Sequence, residues 1–179
     1  IRDTARSRGL GDVYKRRILY NRKYGVDTQL LNLGLFMMPL HPAEKDVGVS
    51  YEEDRQLVLL ADKLNYKEAW MGEHYSSTAE PVTSPLIFNA SLISETKNIK
   101  FGSGVISLPQ QHPAVVAGQV SLLDHLSKGR VIMGVGAGGL VSDWELFGNE
   151  DGRKRAIIMI ESVEAILEFW KDNESYNYK

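Results

Sequence analysis

From residue 31 onward the sequence alternates short apolar runs with longer amphipathic stretches four times in succession, and this alternation constrains the fold more than any other feature. Leu31–Met38 (LNLGLFMM) is a compact apolar run stopped by Pro39, with the length and flanks of a buried strand. Ser50-Tyr51-Glu52-Glu53 has the form of a capping box, whose hydroxyl and carboxylate would satisfy each other's free backbone N–H groups. Leu57, Leu60, Ala61 and Leu64 then recur at helical spacing, predicting one apolar face that runs to Tyr66. Glu68–Gly72 (EAWMG) predicts a second strand, with Trp70 directed to the sheet's inner side and Met71 to the helices. Ser84-Pro85 puts an N-cap hydroxyl before a proline at the first helical position, and Leu86, Ile87, Ala90 and Ile93 continue that helix. Ile99–Ser107 predicts a third strand, and Pro113 opens a third helix that runs to Leu126 and ends on Lys128-Gly129. Arg130–Val135 predicts a fourth strand. A turn-rich segment, 136–152, precedes a last helix with Ile157, Ile160, Val163, Ile166, Leu167 and Trp170 as its apolar stripe.

Strands that alternate with helices call for parallel pairing through right-handed crossovers, so the fold class is α/β. Two architectures satisfy it, an open doubly wound sheet and half of a (β/α)8 barrel, and both place ligands at the carboxyl ends of the strands. A whole barrel needs about 200 to 250 residues. A chain of 179 residues beginning at Ile1 therefore reads as a fragment. Residues 1–30 read as a separate basic extension ahead of the 31–179 unit: residues 1–28 carry eight Arg and Lys against three Asp, +5 there and −7 over the remainder. An RNA-binding arm is the functional alternative for that stretch.

The whole chain has a net charge of −2, which gives no electrostatic reason to expect nucleic acid or an anionic membrane as partner. It contains no cysteine, which excludes disulfides, thiolate zinc sites, iron–sulfur clusters and cysteine nucleophiles, and fits a cytoplasmic setting. No window approaches the roughly 18 consecutive apolar residues of a membrane span.

The predicted strand ends gather chemistry: His41 after the first, Glu73-His74-Tyr75 after the second, Ser107 to His112 after the third, and Gly136-Ala137-Gly138-Gly139 after the fourth. Imidazole with carboxylate suits a divalent metal, but no HExxH-like spacing supports one. The favoured chemistry is a proton-donating, hydrogen-bonding site around an organic cofactor, with His74 at its centre and no metal. Gly134, Gly136 and Gly139 fall at GxGxxG offsets, yet no helix opens at Gly139 and no acidic residue ends a strand about 20 residues on, so a nicotinamide fold is not indicated. Those glycines make either a tight turn or a close backbone approach to a flat ligand. Met37 and Met38, beside Phe36, read first as core. No GxSxG elbow points to a serine hydrolase.

The segments LGLFMMPLHP, DKLNYKEAWMGEHY, TKNIKFGSGVISLPQQHP and VSLLDHLSKGRVIMGVGAGG followed by DWELFG, in that order over residues 33–170, resemble the bacterial luciferase-like flavin monooxygenases, most closely the limonene monooxygenase-like group. The resemblance implies a (β/α)8 TIM barrel, of which this chain is the N-terminal half with about four β-α units. It also implies that reduced FMN reacts with O2 to give a flavin C4a-peroxide that oxygenates a small organic substrate. On the family's motif Glu73 lies near the flavin and His74 handles protons at the reacting centre. Gly104-Val105 matches a non-proline cis peptide behind the flavin ring, and His112 matches the His-Pro that starts the third helix. Gly136 and Ala137 lie on the flavin-binding turn, where luciferase itself has an Arg in place of Ala137, and Met37, Met38, Val105, Ile106 and Leu108 supply an apolar lining. The resemblance further implies a separate NAD(P)H flavin reductase and a homodimer. The competing functions are a deazaflavin-dependent hydride-transfer dehydrogenase of the same superfamily and a non-catalytic flavin-binding subunit.

Overall fold

A computed structural model describes residues 32–171, so the basic stretch 1–30 lies outside the described residues. Four strands form a parallel sheet in the order β1 (Gly34–Met37), β2 (Glu68–Met71), β3 (Lys100–Ser103) and β5 (Val131–Ile132). Register runs Gly34 to Glu68 to Lys100 and Phe101 to Val131. A second parallel pair, β4 (Ile106–Ser107) and β6 (Val135–Gly136), extends the third and fourth strands. The helices are α1 (Val47–Lys63), α2 (Pro85–Ala90), α3 (Pro113–Ser127), α4 (Val141–Phe147) and α5 (Gly152–Phe169), with a 3-10 turn at Leu108–Gln110.

Among the described residues the core lies on one side of the sheet. Met37, Ala69, Met71 and Phe101 pack with Val58, Leu59 and Ala61 of α1 and with Phe88 and Leu92, while Ile106 and Leu108 pack with Val116, Val120 and Leu123 of α3 and Ile166 of α5. Successive strand residues face opposite ways, and on the other side Phe36 is 63% exposed. An open doubly wound sheet would bury both faces; here one face is open, as in a barrel arc.

On that open face bulky side chains lie over glycines of other strands or strand ends. A Cβ placed on Gly72 would fall 2.0 Å from Met38 Sδ, on Gly102 2.4 Å from the Trp70 ring, on Gly104 2.8 Å from Phe36, and on Gly136 2.7 Å from Val105.

Several sequence expectations are corrected. The third and fourth strands are each split in two, the breaks falling at Gly104–Val105, whose peptide bond is cis, and at Met133–Gly134. Across the breaks Ser103 Oγ substitutes for ladder bonds, donating to the Gly134 carbonyl and accepting from the Gly134 N–H, both at 2.9 Å. Helix α1 starts earlier than the Ser50 box: Asp46 is its N-cap and accepts from the Val49 N–H, while Ser50 lies inside, buried, its hydroxyl donating to the Asp46 carbonyl. Its buried face is Ser50, Asp54, Val58, Leu59 and Ala61, and the expected Leu57, Leu60 and Leu64 are exposed. In α5 the buried residues are Arg155, Ser162, Ala165 and Ile166; of the expected stripe only Ile166 is fully buried, whereas Ile157, Ile160, Leu167 and Trp170 are exposed. Around α2, Leu86, Phe88 and Leu92 are buried and Ile87 is exposed. The turn-rich segment contains α4. The Ser84 cap with Pro85, and the left-handed end of α3 at Lys128 (φ 60°) followed by Gly129 (φ 80°), form as the sequence predicts.

Candidate functional site

Glu73, two residues beyond β2, is 5% exposed. Its Oε1 accepts from the Ser107 backbone N–H at 2.9 Å and its Oε2 from Gln111 Nε2 at 3.0 Å. The same Gln111 nitrogen donates to the Tyr75 hydroxyl at 3.1 Å, so one amide ties the carboxylate to the phenol. Burial pushes the Glu73 carboxyl up to about 7, outweighing the two hydrogen bonds, and the Asp143 charge adds to the rise. Burial and the neighbouring carboxylates of Glu73 and Asp143 likewise raise the Tyr75 phenol, which stays neutral.

His74 sits beside Glu73 with its backbone N–H bonded to the Val82 carbonyl. Its Nδ1 lies 2.6 Å from Glu80 Oε2 without forming a hydrogen bond. A small cleft there is lined by Met38, Pro39, Gly72, Glu73, His74 and Val82. A second hollow of about 300 Å³, between α1 and α2 and lined by Tyr51, Arg55, Ser84, Ile87 and Phe88, lies on the helix side away from this chemistry.

The loop Tyr75–Ser76 is held from α4. Asp143, 2% exposed, accepts from the N–H groups of Tyr75 and Ser76 and from the Ser76 hydroxyl at 2.5 to 3.2 Å, and Phe147 meets the Tyr75 ring edge-on at 4.9 Å. Beyond β6, Gly138 takes a left-handed conformation (φ 82°) that favours glycine, and its carbonyl accepts from Trp144 Nε1. Arg155, 6% exposed, stacks on Trp144 at 3.6 Å and donates to the carbonyls of Asn149 and Glu150. Three polar atoms nearby are buried with no hydrogen-bond partner: both side-chain amide atoms of Gln110 and Arg155 Nε. A Cβ on Gly138 would fall 3.2 Å from that Gln110 amide.

The structure thus places Glu73 and His74 on one cleft and joins Glu73 to Ser107 and Gln111. The Gly104–Val105 bond is cis, and Val105 is part-exposed over Gly136. His112 is the N-cap of α3, its Nδ1 accepting from the Ala114 N–H at 3.2 Å. Ala137 follows β6 on the same turn. Met37 is placed differently: it is buried in the core against the helices, as are Ile106 and Leu108, and Met38 is the methionine at the cleft. His41 is engaged by Asp54, Nε2 to Oδ2 3.0 Å. Among the described residues no group of three or more His, Cys, Asp or Glu is placed to hold a metal ion, and no helix is long and apolar enough to cross a membrane.

Sequence reasoning missed Gln111, Gln110, Asp143 and Arg155. Gln110 and Gln111 follow the third strand, but nothing in their neighbours marks an amide that bridges a carboxylate and a phenol. Asp143 and Arg155 draw their roles from contacts across the fold.

The sequence model of the family described as luciferase-like monooxygenase matches residues 31–179. The chain is similar to limonene 1,2-monooxygenase of Rhodococcus erythropolis, 42% identical over 131 residues that cover 72% of this chain and 34% of that one. It is also similar to 4-hydroxyprotoasukamycin monooxygenase of Streptomyces nodosus subsp. asukaensis, 38% identical over 139 residues covering 76% and 38%. Among solved structures it is similar to a type II Baeyer–Villiger monooxygenase, the oxygenating constituent of 3,6-diketocamphane monooxygenase of Pseudomonas putida in complex with FMN: TM-score 0.78, 25% identity, 83% of this chain and 41% of that one. The chain therefore spans about two fifths or less of the length of each.

Proposed function

Because the chain belongs to the luciferase-like monooxygenase family, we propose that its rim is the FMN-binding, oxygen-activating site of a two-component monooxygenase acting on a small organic substrate. The observation that carries this reading is the buried Glu73 carboxyl beside His74, bonded to the N–H of Ser107, two residues beyond the cis-linked Val105. Reduced FMN, when bound, supplies two electrons to O2, so that one oxygen atom enters the substrate and the other leaves as water.

The residues present fit such a group. A flat ring system needs an apolar shelf free of water, and Val105, Met38 and Pro39 offer one. A phosphate needs a cation and donors. Ala137 supplies neither side-chain function, while Arg155 is a buried guanidinium with an unpartnered Nε, and the Gln110 amide nitrogen is also unpartnered. These two are the residues we assign to it. Glu73, raised to about 7 by burial, holds or releases a proton near neutrality, and the His74 imidazole lies beside it with Nδ1 against the Glu80 carboxylate. Together they govern proton delivery at the cleft.

The relative's description as an oxygenating constituent supports a separate reductase partner that supplies reduced flavin from NAD(P)H. The exposed Leu57, Leu60 and Leu64 stripe of α1 supports association as a homodimer, and the lack of cysteine in the whole sequence supports a cytoplasmic setting. The deciding experiment is anaerobic titration of the chain, alone and continued to the length of its relatives, with reduced FMN and with reduced deazaflavin. FMN binding is the expected result. Preference for deazaflavin would convert the assignment to hydride transfer, and binding of neither by the longer chain would overturn the flavin reading.

A further inference from the structure

We propose that Asp143 is a positioning residue that clamps the loop carrying Glu73 and His74 onto helix α4. The proposal deepens the reading of Glu73 and His74 as the reacting pair and rests on it for its functional meaning.

Asp143 is 2% exposed, and a carboxylate so placed is costly unless its oxygens are hydrogen-bonded. Its donors are the N–H groups of Tyr75 and Ser76 and the Ser76 hydroxyl, which lie 67 and 68 residues earlier in the chain. A local helical duty does not explain it: the N-cap of α4 is Leu140, with no side-chain capping bond, and Asp143 lies beyond it in the first turn. Asp143 and Phe147 are four residues apart and so share one face of α4. Both meet the same loop, Asp143 through the backbone and Phe147 through the Tyr75 ring. A second bond joins the Ser76 and Ser142 hydroxyls at 2.7 Å.

The clamp reaches the acid through Tyr75. Its hydroxyl accepts from Gln111 Nε2, whose other hydrogen goes to Glu73. A shift of the 75–76 backbone would therefore break the amide bridge that orients Glu73. The titratable or charged groups around Glu73 are Tyr75, His74 and Glu80 from its own loop and Asp143 from α4, while Ser107 and Gln111, from the third-strand side, are neutral. Asp143 thus adds a negative charge that favours the protonated acid, on top of the dominant effect of burial.

The test uses the chain without flavin, so that it stands apart from the FMN titration: failure of flavin binding leaves the clamp to be judged on its own. Asp143→Asn keeps the shape and one acceptor but removes the charge. Amide hydrogen exchange at Tyr75 and Ser76 should accelerate at least tenfold while Phe101 and Ile106 in the sheet keep their rates. The Glu73 carboxyl, followed by carbon-13 NMR and assigned with Glu73→Gln, should titrate at lower pH. Ser76→Ala keeps the charge and removes only the hydroxyl's bonds to Asp143 and Ser142; exchange at position 76 should quicken several-fold with the Glu73 midpoint unmoved. Unchanged exchange at positions 75 and 76 in either variant would overturn the clamp, and an unmoved Glu73 midpoint in Asp143→Asn would overturn its electrostatic part. Should Asp143→Asn fail to fold, the exchange rates of Ser76→Ala decide.

Discussion

Replacing Glu73 by Gln should tilt the pH dependence of folding in a direction opposite to that of an ordinary carboxylate. In the folded chain burial raises the group from 4.5 to about 7, so between those values the native state holds a proton that the unfolded state has released. Stability from this group is fully present below about pH 4.5, falls as pH rises through that interval, and is gone above about pH 7. At about 1.4 kcal/mol for each tenfold change in proton affinity, the effect amounts to about 3 kcal/mol. Gln cannot ionise. It keeps an oxygen for the Ser107 N–H, and a half-turn of the Gln111 amide presents an oxygen to its new N–H group. Urea unfolding of both proteins from pH 4.5 to 8.5 gives the difference in stability at each pH, with every other titration cancelling. That difference should move by about 3 kcal/mol in favour of Glu73→Gln across the range. A difference that stays flat would refute both the buried, protonated state of Glu73 and the assignment built on it.

Three further outcomes are expected. His74→Ala should lose most product formation while FMN binding, read by fluorescence quenching, survives; full activity would remove His74 from the chemistry. Gly102→Ala should cost about 1–3 kcal/mol in thermal or urea unfolding by driving a methyl group into the Trp70 ring, and Trp70→Leu should recover part of it in the double variant rather than add to the loss. Asp62 is itself pushed upward by burial, but N–H bonds from Lys97, Asn98 and Ile99 and the Arg130 charge outweigh this and hold it below its ordinary value. Its contribution is therefore present above the usual carboxylate range and lost as pH falls, and Asp62→Asn should flatten the acid side of the stability curve.

What the sequence made legible is what local chemistry decides. Pro39, Ser84-Pro85, His112-Pro113 and Lys128-Gly129 punctuate the chain, and the four β-α units and their strand ends follow from them. Helix faces were harder to read, because this chain is apolar on both sides of α1 and α5. Leu57, Leu60 and Leu64 carry the helical period yet are exposed, while Ser50, Asp54 and Arg155 occupy buried positions, Ser50 and Asp54 bonded to Asp46 and His41 and Arg155 bonded through one nitrogen to the Asn149 and Glu150 carbonyls. Seven-residue α4 has no side-chain cap to announce it, and the strand breaks depend on a Ser103–Gly134 exchange 31 residues apart. Glu73 and His74 were visible as a pair at a strand end. The Gln111 bridge and the Asp143 clamp exist only once distant segments meet.

The bulky-over-glycine pairs on the open face also set terms for how such a cleft can change over generations. Met38 with Gly72, Phe36 with Gly104, Trp70 with Gly102 and Val105 with Gly136 each share one fixed volume between two strands. A larger residue at a glycine is tolerable only where its neighbour has already shrunk, so drift at these eight positions should proceed by exchange within a pair. A homologue with alanine at the position of Gly102 should then carry a smaller side chain at that of Trp70.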